Sequence, residues 1–196
     1  MEERKIACVV LAAGMAKRFG STKQLAKLGP LGESLVQTAV NTANESKASY
    51  VLLVLGYDAS AITAELKLGR AQIVFNKDFE SGMSSSVRAA VSNLPGDCAG
   101  AIFMVADQPN VTPEVLNRLI VQFSASRSFE RARIFALSHN GEPKNPVLIS
   151  SDLFPELLNL KGDIGAREII RSRPGEVFLI EMGESDIFTD IDTPPQ

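Results

Sequence analysis

Three stretches of this 196-residue chain carry almost nothing polar: residues 5–11 (KIACVVL), 50–55 (YVLLVL) and 100–106 (GAIFMVA). A strand with one wet face alternates apolar and polar side chains. These do not alternate, so each must be covered on both faces, which demands helices on both sides of a sheet. The intervening segments supply them. Residues 34–44 place Leu35, Ala39, Val40 and Ala43 at helical spacing. Residues 59–66 and 83–94 read as further helices, the second closed by Pro95-Gly96. Thr112-Pro113-Glu114 is a capped helix start with proline in the first turn, predicting a helix to about residue 123. Later strands are expected at 71–75, 132–138, 146–149 and 176–181, with helices at 151–158 and 164–172. Strands separated by helices imply right-handed crossovers. The expected fold is therefore α/β, a three-layer, mostly parallel Rossmann-like sheet. No repeat, low-complexity tract or linker divides the chain, and its length suits one sizeable core, so residues 1–196 are read as one domain.

The net charge of −3 argues against a nucleic-acid-binding surface or an anionic membrane surface. Cys8 and Cys98 sit in apolar surroundings and share no metal spacing with each other or with the lone His139. They read as reduced core thiols of a reducing compartment. No run approaches the roughly 18 apolar residues of a membrane span, and residues 1–5 lead into a strand rather than a signal peptide. The expected location is cytoplasmic.

In such sheets ligands gather beyond the carboxyl ends of strands, where the strand order reverses. Four segments fall there: 12–24, 76–86, 107–109 and 190–192. The first empties a buried strand into small residues, Ala12-Ala13-Gly14, and then carries Lys17, Arg18 and Lys23 before returning to Leu25. Small residues let the backbone approach a ligand, exposed N–H groups can cradle phosphate, and Arg18 and Lys23 offset its charge. An ordinary βα turn with solvated cations is the plainer reading. The glycines match neither GxxxxGK[ST] nor GxGxxG. Asp107 at the end of a buried strand is placed to hold Mg²⁺, or to cap a turn fixed by Pro109. Asp190 and Asp192, two apart on extended backbone, can face one ion or simply face water. Serines 84–86 suit a helix N-cap, and so does Asp163.

Residues 11–25 fit LAAGxxxRxGxxKxL, and this pattern resembles the signature loop of the nucleotidyltransferases typified by molybdenum cofactor cytidylyltransferase and the related guanylyltransferase. Asp107-Gln108-Pro109, Gly82-Met83-x-x-Ser86, Gly162-Asp163-x-Gly165-Ala166-Arg167 and Asp190-x-Asp192-Thr193-Pro194 are similar to that family's other motifs. The resemblance implies transfer of a nucleoside monophosphate, CMP from CTP on the Leu-Ala-Ala-Gly form of the loop, to a phosphate-bearing acceptor of the molybdopterin type. It implies Mg²⁺ or Mn²⁺ on Asp107 and Asp192, with Arg18, Lys23 and Asp107 catalytic. Leu11, Ala12, Ala13, Gly14, Arg18, Lys23, Gly82, Met83, Ser84 and Ser86 would contact nucleotide. Asn145, Asp163 and Asp190 fall on the acceptor side, and a molybdoenzyme or its chaperone is the implied protein partner. One position departs from the pattern: Lys144-Asn145-Pro146 replaces Gly-His-Pro, and asparagine cannot titrate near neutrality. Two rival readings remain, a carrier of nucleotide or molybdenum cofactor, and an NAD(P)-dependent oxidoreductase.

Overall fold

The computed structural model describes residues 4–15, 22–28, 32–126, 132–165, 167–183 and 186–192. The first apolar run forms β1 (Lys5–Leu11), followed by a two-stranded ribbon of β2 (Lys27–Leu28) and β3 (Glu33–Ser34). Ser34 then caps α1 (Leu35–Glu45), its hydroxyl accepting from the Gln37 N–H at 3.3 Å. The chain continues through β4 (Tyr50–Leu55), α2 (Ala59–Glu65), β5 (Gln72–Phe75), α3 (Met83–Ser92), β6 (Cys98–Val105) and α4 (Pro113–Ala125). Next come β7 (Ile134–His139), β8 (Glu142–Ser150), α5 (Phe154–Leu158), α6 (Arg167–Ser172) and β9 (Val177–Glu181).

Seven strands make one sheet in the order β5-β4-β1-β6-β8-β7-β9. Consecutive residues of β1 enter different cores. Ile6, Cys8 and Val10 pack on one face with Val36 and Val40 of α1 and Leu116 and Leu119 of α4. Ala7 and Val9 pack on the other with Val87 and Val91 of α3, Leu157 of α5 and Ile169 of α6. All five of these β1 side chains are at most 1% exposed, which is why the run could not alternate.

Six of the seven strands run the same way; β8 alone is antiparallel, to both β6 and β7. The sheet is thus mixed while mostly parallel. The cause is local. Asn140 (φ 54°) and Gly141 (φ 77°) both hold positive φ and turn β7 directly back into β8, leaving no room for a crossover helix. Asn-Gly between two apolar runs carries that hairpin signal in the sequence. The β2–β3 ribbon, in contrast, was not anticipated, being too short to show a period.

Strand order fixes where a ligand can sit. From β1 the chain builds β4 and β5 to one side and then returns to β6 on the other. The crevice between the carboxyl ends of β1 and β6 is the point of reversal.

Two expectations follow from the packing. Phe135, 1% exposed, meets Phe123 of α4 edge-on with ring centroids 5.6 Å apart and Phe178 of β9 at 5.7 Å. Phe135→Ala should cost about 3–5 kcal/mol in a denaturant titration. Burial pushes the Cys8 thiol up to about 12 and also raises that of Cys98. An aromatic disulfide reagent near neutral pH should therefore titrate neither thiol of the folded protein and both after denaturation.

Candidate active site

The β1 ladder runs on past the strand itself. Ala12 N donates to Val54 O at 3.0 Å, and Ala106 N donates to Leu11 O at 3.2 Å. Beyond Ala13 the chain leaves the sheet and opens a cleft of about 830 Å³. Leu11, Ala12, Ala13 and Gly14 form one wall, Val105, Ala106 and Asp107 the floor, and Phe79 to Met83 the opposite wall. A cleft of this size suits a small organic ligand. Gly14 is informative here. A Cβ on it would find nothing within 4 Å, so the fold does not require glycine at this point and the space beside it is open.

Three charged side chains meet at the mouth. Lys23, at the start of a 3₁₀ turn (Lys23–Leu25), donates through Nζ to Asp107 Oδ2 at 2.8 Å and to Asp192 Oδ1 at 3.1 Å. The lysine side chain is 12% exposed. Burial alone would lower its pKa, but the hydrogen bonds to Asp107 and Asp192 outweigh burial and raise it, so the ammonium stays charged. Asp192 reaches this point because residues 186–192 are tied to the loop after β6. Ile191 N donates to Asp107 O (3.0 Å), Asn110 Nδ2 to Asp186 O (2.9 Å) and Gln108 Nε2 to Asp190 Oδ1 (2.9 Å). The two aspartates thereby part company: Asp192 faces the lysine, and Asp190 is held by Gln108. Sequence spacing alone allowed both to face one ion or to face water.

Asp107 and Asp192 converge on one cationic group from two sides, an all-oxygen donor pair at the edge of an open cleft. Such a pair fits a hard divalent cation whose remaining positions are taken by phosphate and water. No third histidine, cysteine, aspartate or glutamate joins them among the described residues.

The opposite wall is built by a close backbone crossing. Gly82 (φ 96°) starts α3, and a Cβ there would lie 2.7 Å from the Gly162 carbonyl carbon and oxygen. Ser84 N donates to Gly162 O at 3.2 Å, and Met83 N to Asp163 Oδ1 at 3.2 Å. Asp163 therefore caps α3, a helix distant in sequence, and it lines the cleft as it does so. Gly82, Met83 and Ser86 also line it. Ser84 does not: it is fully buried, and its hydroxyl accepts from Arg88 at 3.1 Å. Asn145 lies in β8, two residues before the Val147–Phe103 pair, hence by the carboxyl end of β6 but outside the cleft wall. Arg18 lies outside the described residues.

Sequence reasoning passed over Gln24. This 7% exposed side chain, itself part of the cleft lining, donates to Ala12 O at 3.0 Å and to Gly14 O at 2.7 Å and so braces the first wall. Its only signal was its place beside Lys23. Thr22 likewise reaches from the same segment to Asp58.

Residues 8–177 match the family described as the MobA-like NTP transferase domain. The chain belongs to that family. Among its relatives, nicotine blue oxidoreductase of Paenarthrobacter nicotinovorans is 32% identical, over 96% of this chain and 92% of its own length. Molybdenum cofactor cytidylyltransferase of Escherichia coli K12 is 24% identical over the same shares. The crystal structure of the Rv0371c protein of Mycobacterium tuberculosis H37Rv superposes with a TM-score of 0.84 at 27% identity, covering 98% of this chain and 95% of that one. The same mycobacterial protein has been solved as a complex with manganese. In this MobA-like chain no helix among the described residues is long and apolar enough to cross a membrane.

The two glycines on opposite walls should respond differently to an added methyl. Gly82→Ala must force apart α3 and residues 162–163, with a loss of several kcal/mol in a denaturation experiment. Gly14→Ala should leave stability within about 0.5 kcal/mol while weakening nucleotide binding measured by calorimetry.

Proposed function

We propose that this MobA-like nucleotidyltransferase is a cytidylyltransferase that moves CMP from CTP onto a phosphate-bearing acceptor of the molybdopterin type, with Mg²⁺ or Mn²⁺, releasing pyrophosphate. The observation that carries the reading is the meeting of Lys23, Asp107 and Asp192 at the mouth of the cleft. The Leu11-Ala12-Ala13-Gly14 form of the loop and the likeness to molybdenum cofactor cytidylyltransferase support the choice of base and acceptor.

The triphosphate lies along residues 12–15, within reach of Lys23, and Arg18 adds charge from the same segment. A divalent cation held by Asp107 and Asp192 would neutralise the phosphates and favour departure of pyrophosphate. Lys23, relieved of the carboxylates, is free to turn its ammonium to the phosphate oxygens. An oxygen of the acceptor's phosphate then attacks the α-phosphorus in line. The new P–O bond forms as the α–β bridge bond breaks, and the electron pair leaves with pyrophosphate. A phosphate monoester is already anionic and needs no protein base, so the chain's work is positioning and charge neutralisation. The replacement of the usual histidine by Asn145 is compatible with this, since no proton transfer is asked of that position. The product would pass to a molybdoenzyme or its chaperone.

A second reading has one specific observation behind it: the relative named nicotine blue oxidoreductase is 32% identical over 96% of the chain. On that reading the cleft would hold a nicotinamide cofactor. The loop lacks GxGxxG and carries an excess of cations, so the transferase reading stands first.

Thermal unfolding with Mg²⁺ and separately CTP, GTP, ATP, UTP, NADH and NADPH separates them. A ligand at about a hundred times its dissociation constant adds roughly 2.7 kcal/mol, a readily measured shift. A Mg²⁺-dependent shift with CTP is expected. A shift with NADH or NADPH alone would replace the proposed reaction by the second. Asp107→Ala should abolish pyrophosphate release and leave the fold intact, because it removes a partly exposed carboxylate and no core volume. Lys23→Ala should weaken CTP binding by about 1.5–3 kcal/mol, roughly 10- to 150-fold, in a calorimetric titration.

A further inference from the structure

Residues 12–14 present a one-sided backbone. All three of their carbonyls are used inside the protein: Ala12 O and Gly14 O accept from Gln24 Nε2, and Ala13 O accepts from Tyr57 N at 3.2 Å. The N–H groups of Ala13, Gly14 and Met15 meet no acceptor among the described residues. Gly14 has open space around it, and all four of residues 12–15 line the cleft. A peptide segment whose carbonyls are all tied back and whose N–H groups are free is a donor-only surface, the arrangement that receives an anion.

Gln24 creates this polarity at a cost to itself. Its Nε2 serves two carbonyls, but its Oε1 is buried with no partner among the described residues. A buried amide oxygen without a donor is unfavourable, and native proteins retain few of them. An apolar residue of the same size would fill the space without that penalty, but would leave Ala12 O and Gly14 O without the donor that fixes their direction. Released, either peptide could rotate its carbonyl toward the cleft, where it would repel phosphate.

We infer that Gln24 is the positioning residue of the nucleotide site: by fixing the carbonyls of Ala12 and Gly14 it aims the N–H groups of residues 13–15 at the phosphates. The inference rests on the nucleotidyltransferase reading and adds to it a cleft residue that acts through the backbone of residues 12–14. Lys23, the neighbour of Gln24, stands beside the same cleft, so one short 3₁₀ turn supplies both the cation and the brace.

The test uses inorganic tripolyphosphate, which has the phosphates and no base, alongside CTP, at fixed Mg²⁺. In the ¹⁵N–¹H spectrum of the unaltered protein, tripolyphosphate should shift the amides of Ala13, Gly14 and Met15. Gln24→Met, which keeps volume and loses the donors, should bind tripolyphosphate and CTP more weakly by the same factor, on the order of tenfold. Gln24→Glu supplies a readout that packing alone would not move. Its carboxylate repels both carbonyls when ionised and can donate to one when protonated, so its deficit against the unaltered protein should shrink from about pH 8 to about pH 6. Unshifted amides, equal affinity in a folded Gln24→Met protein, or a pH-independent Gln24→Glu deficit would each overturn the inference. If Gln24→Met fails to fold, the pH dependence of the Gln24→Glu deficit decides the role of Gln24. Binding of CTP with unchanged affinity in Gln24→Met removes only the role of Gln24. Failure of the unaltered protein to bind either ligand removes that role and the transferase reading together.

Discussion

Everything at the carboxyl edge depends on β1 being clamped on both sides. Its parallel ladders to β4 and β6 flank Ala7–Leu11 on both sides, and its side chains fill two separate cores. A strand held that firmly carries its register into whatever follows it. Ala12 therefore keeps a sheet-like bond to Val54, Ala106 pairs back to Leu11, and the loop departs from a fixed point and direction. The cleft is the space left where the strand order reverses and neither neighbour continues.

Charge is then delivered to that fixed point from widely separated parts of the chain. Lys23 comes from the segment after β1, Asp107 from the end of β6, and Asp192 from the far end of the chain, bound to the Asp107 loop by backbone and side-chain bonds. Lys23 bridges the two carboxylates and offsets part of their charge. On the proposed reading, Lys23 would exchange its carboxylate partners for phosphate when nucleotide and metal bind. The far wall follows a similar rule. Asp163 and Gly162 lie about eighty positions from Met83, yet they supply the cap and the close contact that set the first turn of α3.

Much of this was legible in one dimension because the physics is local. Continuous apolar runs specify strands buried on both faces, a capping serine and a proline mark helix starts, and every main-sheet strand and every helix was anticipated to within a few residues. Asp107 was legible as a carboxylate ending a buried strand, and the glycine-bearing loop as a place for close approach. What escaped were features with no period: the two-residue strands of the ribbon, the reversal at Asn140-Gly141, and the buried placement of Ser84, which the motif alone put on the cleft.

The sequence by itself determined the layers, the strand that ends in the loop, and the residue types able to meet a phosphate and a cation, since those follow from hydrophobic period and side-chain chemistry. Only the tertiary structure decided which of them act together. Asp192 rather than Asp190 faces Lys23, because Gln108 takes the other carboxylate. Asp163 caps a helix it does not precede, and Gln24 turns two carbonyls away from the cleft. Each of these is a hydrogen bond between residues that spacing cannot relate, fixed by where strands and loops come to lie in space.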